Sequence, residues 1–202
     1  MEQLDGEPLI VKTVKAFQRC DAISEVVIVT REDLVMPITG LMRGMSKVKT
    51  VVVGGKDRVE SVWLGLNALS DDIKLAAIHD GARPLVTWQL IDRVVRAAHA
   101  YGAAAPGIPV KDTVKVVSGG VVKATPDRKT LQAIQTPQVF DFDLLRGALK
   151  HAREVGAEIT DDCSAVERLG MSVRIVEGDE RNIKITTPLD LKIAELFLQE
   201  EV

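Results

Sequence analysis

Aromatic residues are scarce in this sequence of 202 residues: Phe, Trp and Tyr together make up 3% of it. The core must therefore be aliphatic, and the many Val, Ile, Leu and Ala residues fit an α/β interior. Cysteine is rarer still. Cys20 and Cys163 lie far apart, and no Cys-x-x-Cys occurs, so no disulfide framework is encoded. Both read as reduced thiols of a cytoplasmic protein. The three histidines, His79, His99 and His151, have no metal-ligand spacing. Positive charge is not in excess: 26 Lys and Arg face 29 Asp and Glu, for a net charge of -3. That balance argues against a nucleic-acid partner bound through a basic surface, yet leaves room for a local cationic pocket. No apolar run approaches the ~20 residues of a membrane span. The N-terminus carries no signal-peptide pattern.

What is present is globular. Hydrophobic residues at 46% and charged residues at 27% suit a packed domain, and the length fits one domain over 1–202. Short β-branched runs alternate with amphipathic stretches. Leu9 to Phe17 reads as a helix with Ile10, Val14 and Phe17 on one face. Glu25 to Thr30 reads as a fully buried strand, and Arg31 to Met45 as a weak helix interrupted by Pro37 and Gly40. Lys49 to Val53 is a strand, Asp57 to Leu69 a helix capped by Asp57, and Leu75 to Ile78 a strand. Thr87 caps a helix to Tyr101, and Ala103 to Val110 is a strand broken by Gly107. Helices at Phe142 to Val155 and Asp161 to Leu169, a strand at Ser172 to Val176 and a helix from Pro188 to Leu198 complete the chain. Strands joined by single helices predict parallel βαβ units. The fold class is α/β, a Rossmann-like three-layer α/β/α sandwich on a mostly parallel sheet.

One segment breaks this rhythm. Val114 to Val117 and Val121 to Lys123 flank Gly119-Gly120, a hairpin signal lying between Pro109 and Pro126. It reads as an arm at about 111–130 that projects from the sheet. Projecting edges need cover, and a second copy of the chain could provide it as a homodimer.

Ligands of open parallel sheets bind beyond the carboxyl ends of the strands. Three polar clusters fall there. Gly54-Gly-Lys-Asp-Arg-Val-Glu-Ser61 lets backbone approach a base or phosphate closely and opens a helix. The alternative is an ordinary capped turn. His79-Asp-Gly-Ala-Arg-Pro84 places an acid for hydroxyl groups or a metal and an arginine fork for phosphate. The alternative is an Asp–Arg pair that only shapes the loop, and His79 itself reads as structural. Asn182 to Asp190 sets Lys184 just before a helix begun by Pro188, within reach of a triphosphate. The alternative is a solvated lysine.

In this order the clusters resemble one family, the 2-C-methyl-D-erythritol 4-phosphate cytidylyltransferases of non-mevalonate isoprenoid biosynthesis. Further segments carry the likeness: Pro109-Val-Lys-Asp-Thr-Val-Lys115, Pro126-Asp-Arg128, Gln135-Thr-Pro-Gln138, Thr160-Asp-Asp-Cys-Ser164 and Glu177 to Asp190. The resemblance implies a nucleotide-diphospho-sugar transferase-like fold that moves CMP from CTP to a polyol phosphate. It assigns Gly54, Gly55, Lys56 and Ser61 to the nucleotide, with Asp80 and Lys184. Asp80 and Arg83 would face the sugar phosphate, and Thr160 would hold the acceptor. In this family the arm crosses to the second subunit. Thr113, Arg128 and Thr136 would therefore complete the partner's acceptor pocket, with Arg128 and Lys184 as catalytic groups. Magnesium is the expected cofactor, its protein ligands unassigned.

The family begins with a strand and a glycine-rich Ala-Ala-Gly loop, followed by an arginine and a lysine. Met1-Glu-Gln-Leu-Asp-Gly6 matches the stretch after that lysine. The expectation is therefore roughly two dozen further residues upstream, including this phosphate-binding loop. Two alternatives stand beside the main reading. Ribitol-5-phosphate cytidylyltransferase shares nucleotide and mechanism, but Leu131 to Gln138 and Asp162 to Arg168 look more like the methylerythritol enzymes. A non-catalytic nucleotide-binding protein is the other, should the N-terminal loop be absent.

Overall fold

A computed structural model describes residues 1–199. The chain opens with a small hairpin, β1 (Gln3–Leu4) and β2 (Glu7–Pro8), turned by Asp5 at φ 52° and Gly6 at φ 71°. An Asp-Gly pair suits two successive left-handed residues, which most side chains avoid. The elements that follow are α1 (Leu9–Arg19), β3 (Val26–Thr30), α2 (Glu32–Leu41), β4 (Val48–Val53), α3 (Arg58–Asn67), β5 (Leu75–Ile78), α4 (Trp88–Tyr101), β6 (Ala103–Pro109), β7 (Val116–Ser118), β8 (Val121–Ala124), β9 (Gln132–Ile134), β10 (Gln138–Asp141), α5 (Phe142–Glu154), α6 (Asp162–Glu167), β11 (Arg174–Glu177) and α7 (Pro188–Gln199).

The main sheet runs β11-β6-β10-β5, with β9 beside the far end of β6. β11 is parallel to β6, and β10 is antiparallel to both β6 and β5. β5, β6 and β11 thus share one direction, with β9 and β10 as the reversed members. β3 and β4 form a parallel pair of their own.

Alternation along the strands separates two apolar layers. On one face Ala76, Ala103, Ala105 and Phe140 meet α3, α5 and α6 through Leu66, Leu145, Leu149 and Val166. On the other face Ala104 and Val139 meet α1 and α4 through Phe17, Leu90, Ile91 and Val94. Each such buried Leu, Ile or Phe contributes about 1.5–3 kcal/mol. The predicted three-layer sandwich is therefore the observed architecture.

Local differences have physical causes. α2 runs through Pro37 and Gly40. Its Ile38 and the adjoining Met42 bury against Val11, Val14 and Ile28, and that packing overrides weak propensity. β6 continues through Gly107, because β11 holds one edge and β9 the other. A Cβ at Gly107 would lie 2.9 Å from the Ile175 side chain, so glycine here permits close pairing. β3 is only half-buried apart from Ile28, since it borders a cavity of about 980 Å³ that separates it from β5. Helices α1 and α3 flank that cavity. β7 and β8 form the expected hairpin, turned at Gly119 and Gly120, both with positive φ. Its valines stand in solvent: Val117 is 54% exposed and Val121 59%.

Candidate functional site

β4 ends at Val53, and Gly54 and Gly55 carry the chain over to α3. Asp57 is the N-cap, accepting the Glu60 N–H at 2.8 Å. The Ser61 hydroxyl donates to the Asp57 carbonyl at 2.8 Å and accepts the Gly55 N–H at 3.1 Å. Glu60 reaches back to the Lys56 N–H at 2.9 Å. A Cβ on Gly55 would lie 2.2 Å from Glu60 Cγ, so glycine is required there. Ser61 thus shapes the loop from inside, while the Lys56 side chain stays exposed. The capped-turn reading and the ligand-loop reading both describe this segment.

The second cluster follows β5. The β5–β10 register pairs Gln138 with Ile78, so Thr136 arrives opposite Asp80 beyond the end of the ladder. The Asp80 N–H donates to Thr136 Oγ at 3.1 Å, and that oxygen lies 2.9 Å from His79 Nδ1. Burial drives the His79 pKa down to about 4, so the ring is neutral at physiological pH. The Thr136 hydroxyl then donates to Nδ1, and Nε2 faces the Arg83 carbonyl at 3.4 Å. His79 is structural, as its sequence position implies.

Behind this loop lies a buried polar hub that sequence reading misses. Asn182, fully buried, donates to the Thr136 carbonyl at 2.9 Å. Gln135 donates to the Asp179 carbonyl at 2.7 Å and accepts the Asp179 N–H at 3.1 Å. Arg83 donates to the Asn182 carbonyl at 2.7 Å, and the Ile185 N–H donates to the Ala82 carbonyl at 2.8 Å. The segment before α7 is thereby fastened to the loop after β5.

That fastening brings Lys184 to Asp80. Its ammonium lies 3.1 Å from Asp80 Oδ2, and Arg83 Nε lies 3.6 Å from the same oxygen. Burial opposes the charge on Asp80, but Lys184 and Arg83 outweigh it and hold the carboxyl below its ordinary range. Arg83 is the more enclosed cation at 12% side-chain exposure, and Lys184 the freer at 48%. Half-exposed ion pairs contribute roughly 0–1 kcal/mol net. Exchanging Asp80 for an anionic ligand therefore costs Lys184 little. The cavity between β3 and β5 opens on Gly54, Gly55 and Ser61 on one side and Asp80 on the other.

Of the candidate residues, Gly54, Gly55 and Ser61 thus share a cleft with Asp80, and Arg83 and Lys184 join Asp80. Thr136 is buried and bound to His79 and Asp80 of its own chain. Thr160 is exposed on the turn before α6. Thr113 and Arg128 stand apart on the exposed arm, where Arg128 donates to the Lys111 carbonyl at 2.6 Å. Among the described residues no three His, Cys, Asp or Glu side chains converge as a metal cage. A magnesium ion carried chiefly by phosphate oxygens, with Asp80 as the candidate carboxylate, fits this residue set.

A Rossmann-like sandwich with a glycine-gated loop facing an Asp–Lys–Arg cluster across the strand ends is the architecture of a nucleotidyltransferase. The comparisons with known proteins agree. The family model described as IspD, 2-C-methyl-D-erythritol 4-phosphate cytidylyltransferase, matches residues 1–200. The enzyme of that name from Caldanaerobacter subterraneus is 45% identical over 199 residues, covering 96% of this chain and 88% of the relative. The one from Symbiobacterium thermophilum is 44% identical over 199 residues, covering 98% and 84%. Among solved structures, 4-diphosphocytidyl-2C-methyl-D-erythritol synthase from Anaerococcus prevotii superposes with a TM-score of 0.92 at 30% identity, covering 98% of this chain and 88% of that one. The 2-C-methyl-D-erythritol 4-phosphate cytidylyltransferase from Thermus thermophilus gives 0.84 at 36% identity, covering 98% and 92%. The chain belongs to the 2-C-methyl-D-erythritol 4-phosphate cytidylyltransferase family.

Proposed function

We propose that this protein transfers CMP from CTP to 2-C-methyl-D-erythritol 4-phosphate and releases pyrophosphate, a step of isoprenoid precursor biosynthesis. The observation that carries the reading is that Asp80, paired with Lys184 and Arg83, lines the same cleft as Gly54, Gly55 and Ser61. The cytosine sits against Gly54, Gly55, Lys56 and Ser61. Asp80 accepts from ribose or polyol hydroxyls, and Lys184 turns from Asp80 to the phosphates. Arg83 faces the acceptor, and Thr160 holds it.

A phosphate oxygen of the acceptor attacks the α-phosphorus of CTP. One P–O bond forms as the bond to the β-phosphate breaks. The nucleophile is already anionic at neutral pH, so no general base is required. The barrier lies in aligning two anions, and positive charge fixed in place lowers it. Lys184 supplies that charge from its own chain. Arg128 supplies it from a partner's arm in a homodimer, beside the partner's Thr113, while Thr136 stays bonded to Asp80 and His79 of its own chain. The apolar, exposed faces of β7 and β8 support such an assembly. Magnesium, when bound, neutralises the triphosphate and the leaving pyrophosphate. Buried free thiols at Cys20 and Cys163 are consistent with a cytoplasmic location.

The test is pyrophosphate release from CTP and magnesium with 2-C-methyl-D-erythritol 4-phosphate or ribitol 5-phosphate as acceptor. Release that depends on the methylerythritol compound supports the reading. A preference for ribitol 5-phosphate moves the acceptor assignment. CTP binding without release under either acceptor leaves a nucleotide-binding protein and rejects the transferase.

A further inference from the structure

The side chain of Asp162 is fully buried at the start of α6, where neither nucleotide nor acceptor has been assigned to it. Its carboxylate meets Arg58, at the first turn of α3, through two hydrogen bonds of 2.8 and 2.5 Å. Those residues stand 104 positions apart in the chain. Burial opposes the charge on Arg58, yet the Asp162 carboxylate overcomes it and holds the guanidinium above its ordinary value.

The backbone around Asp162 is pinned independently of its charge. Gln138 Oε1 accepts the N–H groups of Asp162 and Cys163 at 3.0 and 3.1 Å. Gln138 Nε2 donates to Asp161 at 2.8 Å, and Asp161 caps α6 through the Ser164 N–H at 2.9 Å. Cap and glutamine together secure the fold of this corner. A buried ion pair is a poor way to add stability, since a well-packed apolar pair commonly does as well or better. What the pair adds is a rigid, two-pronged link between parts that are otherwise distant.

The two ends of that link are informative. Arg58 lies directly after the N-cap Asp57, within the turn whose Ser61 and Glu60 side chains hold the N–H groups of Gly55 and Lys56. Asp162 lies two residues after Thr160. Resting on the proposed assignment of nucleotide to the first segment and acceptor to the second, we infer that Arg58 and Asp162 are positioning residues that couple the two substrate pockets. Ordering either segment orders the other through the ion pair, so each substrate binds more tightly when the other is present.

Calorimetry with the α,β-methylene analogue of CTP, which binds but cannot release pyrophosphate, with and without acceptor, joined to steady-state kinetics with CTP, tests this on the wild type, Asp162→Asn and Arg58→Lys. Asp162→Asn keeps shape and backbone bonds but loses charge, and Arg58→Lys keeps charge but loses the fork. The expected wild-type result is mutual tightening of about fivefold or more, the usual lower bound for coupled sites. Both variants should lose it, with KM for both substrates raised about tenfold and kcat changed less than about threefold. Variants with a lowered melting temperature but unchanged coupling and KM would overturn the inference and leave a merely structural pair. Should Asp162→Asn fail to fold, Arg58→Lys gives the same readout. A wild type that neither binds CTP nor releases pyrophosphate rejects the function itself. An active wild type with unaffected variants rejects only the coupling.

Discussion

The hub beneath Lys184 and the arm that carries Arg128 are opposite solutions to holding a cation. Lys184 is aimed by Asn182, Gln135 and Arg83, whose bonds close within one chain. Arg128 is held by one bond to the carbonyl of Lys111, on a hairpin whose valines face solvent. The first region is finished by its own chain. The second has the exposed apolar character of a surface built to meet another molecule. On the proposed roles, the cation kept for its own chain is secured by buried polar bonds, and the one offered to a second chain stands on an exposed hairpin.

The sharpest way to break this contrast is complementation. Lys184→Ala and Arg128→Ala should each lower turnover by at least about 10²-fold, the scale for lost transition-state donors. Mixing the two inactive proteins should restore about a quarter of wild-type activity, because half the resulting dimers carry one intact site. No recovery on mixing would place both cations in one chain's site, and near-normal single variants would dismiss both assignments.

A smaller effect is expected on the arm itself. Val116→Ser with Val122→Ser should weaken dimerisation about thirtyfold, read by sedimentation at graded concentrations, given about 1 kcal/mol lost per truncated apolar side chain. Unchanged self-association would show that another face makes the dimer.

The smallest effect concerns the hub. His79 has its pKa lowered from 6.5 to about 4 by burial. Between those values the unfolded chain binds more protons, so stability is present above pH 6.5 and declines as pH falls toward 4. The slope from this one group is at most about 1.4 kcal/mol per pH unit. His79→Gln should flatten that part of the urea-unfolding profile. An unaltered slope would assign the acid sensitivity elsewhere.

Much of this is legible along the chain. Asp57 and Thr87 announce helix starts, Gly119-Gly120 announces the hairpin, and the motifs of Asp80, Arg83 and Lys184 mark the strand ends. The parts that escape are held by partners, not by periodicity. β9 and β10 lie in a stretch flanked by glutamines, where Gln135 and Gln138 are buried because their amides are used on both sides. No window of sequence reveals that Asp162 answers Arg58, or that Asn182 answers Thr136. The valines of β3 suggest full burial, and the adjoining cavity leaves the strand half-buried.

That cavity has a mechanical meaning. The Gly54 loop hangs from the β3–β4 leaf, while Asp80 and Lys184 belong to the larger sheet and its attachments. The facing edges of β3 and β5 share no ladder, so their backbone groups could accept one further strand that would join the two leaves into a single sheet. Until such an edge is filled, the helices do the joining: α1 packs on both leaves through Val11, Val14 and Phe17, and α3 reaches the main core through Leu66.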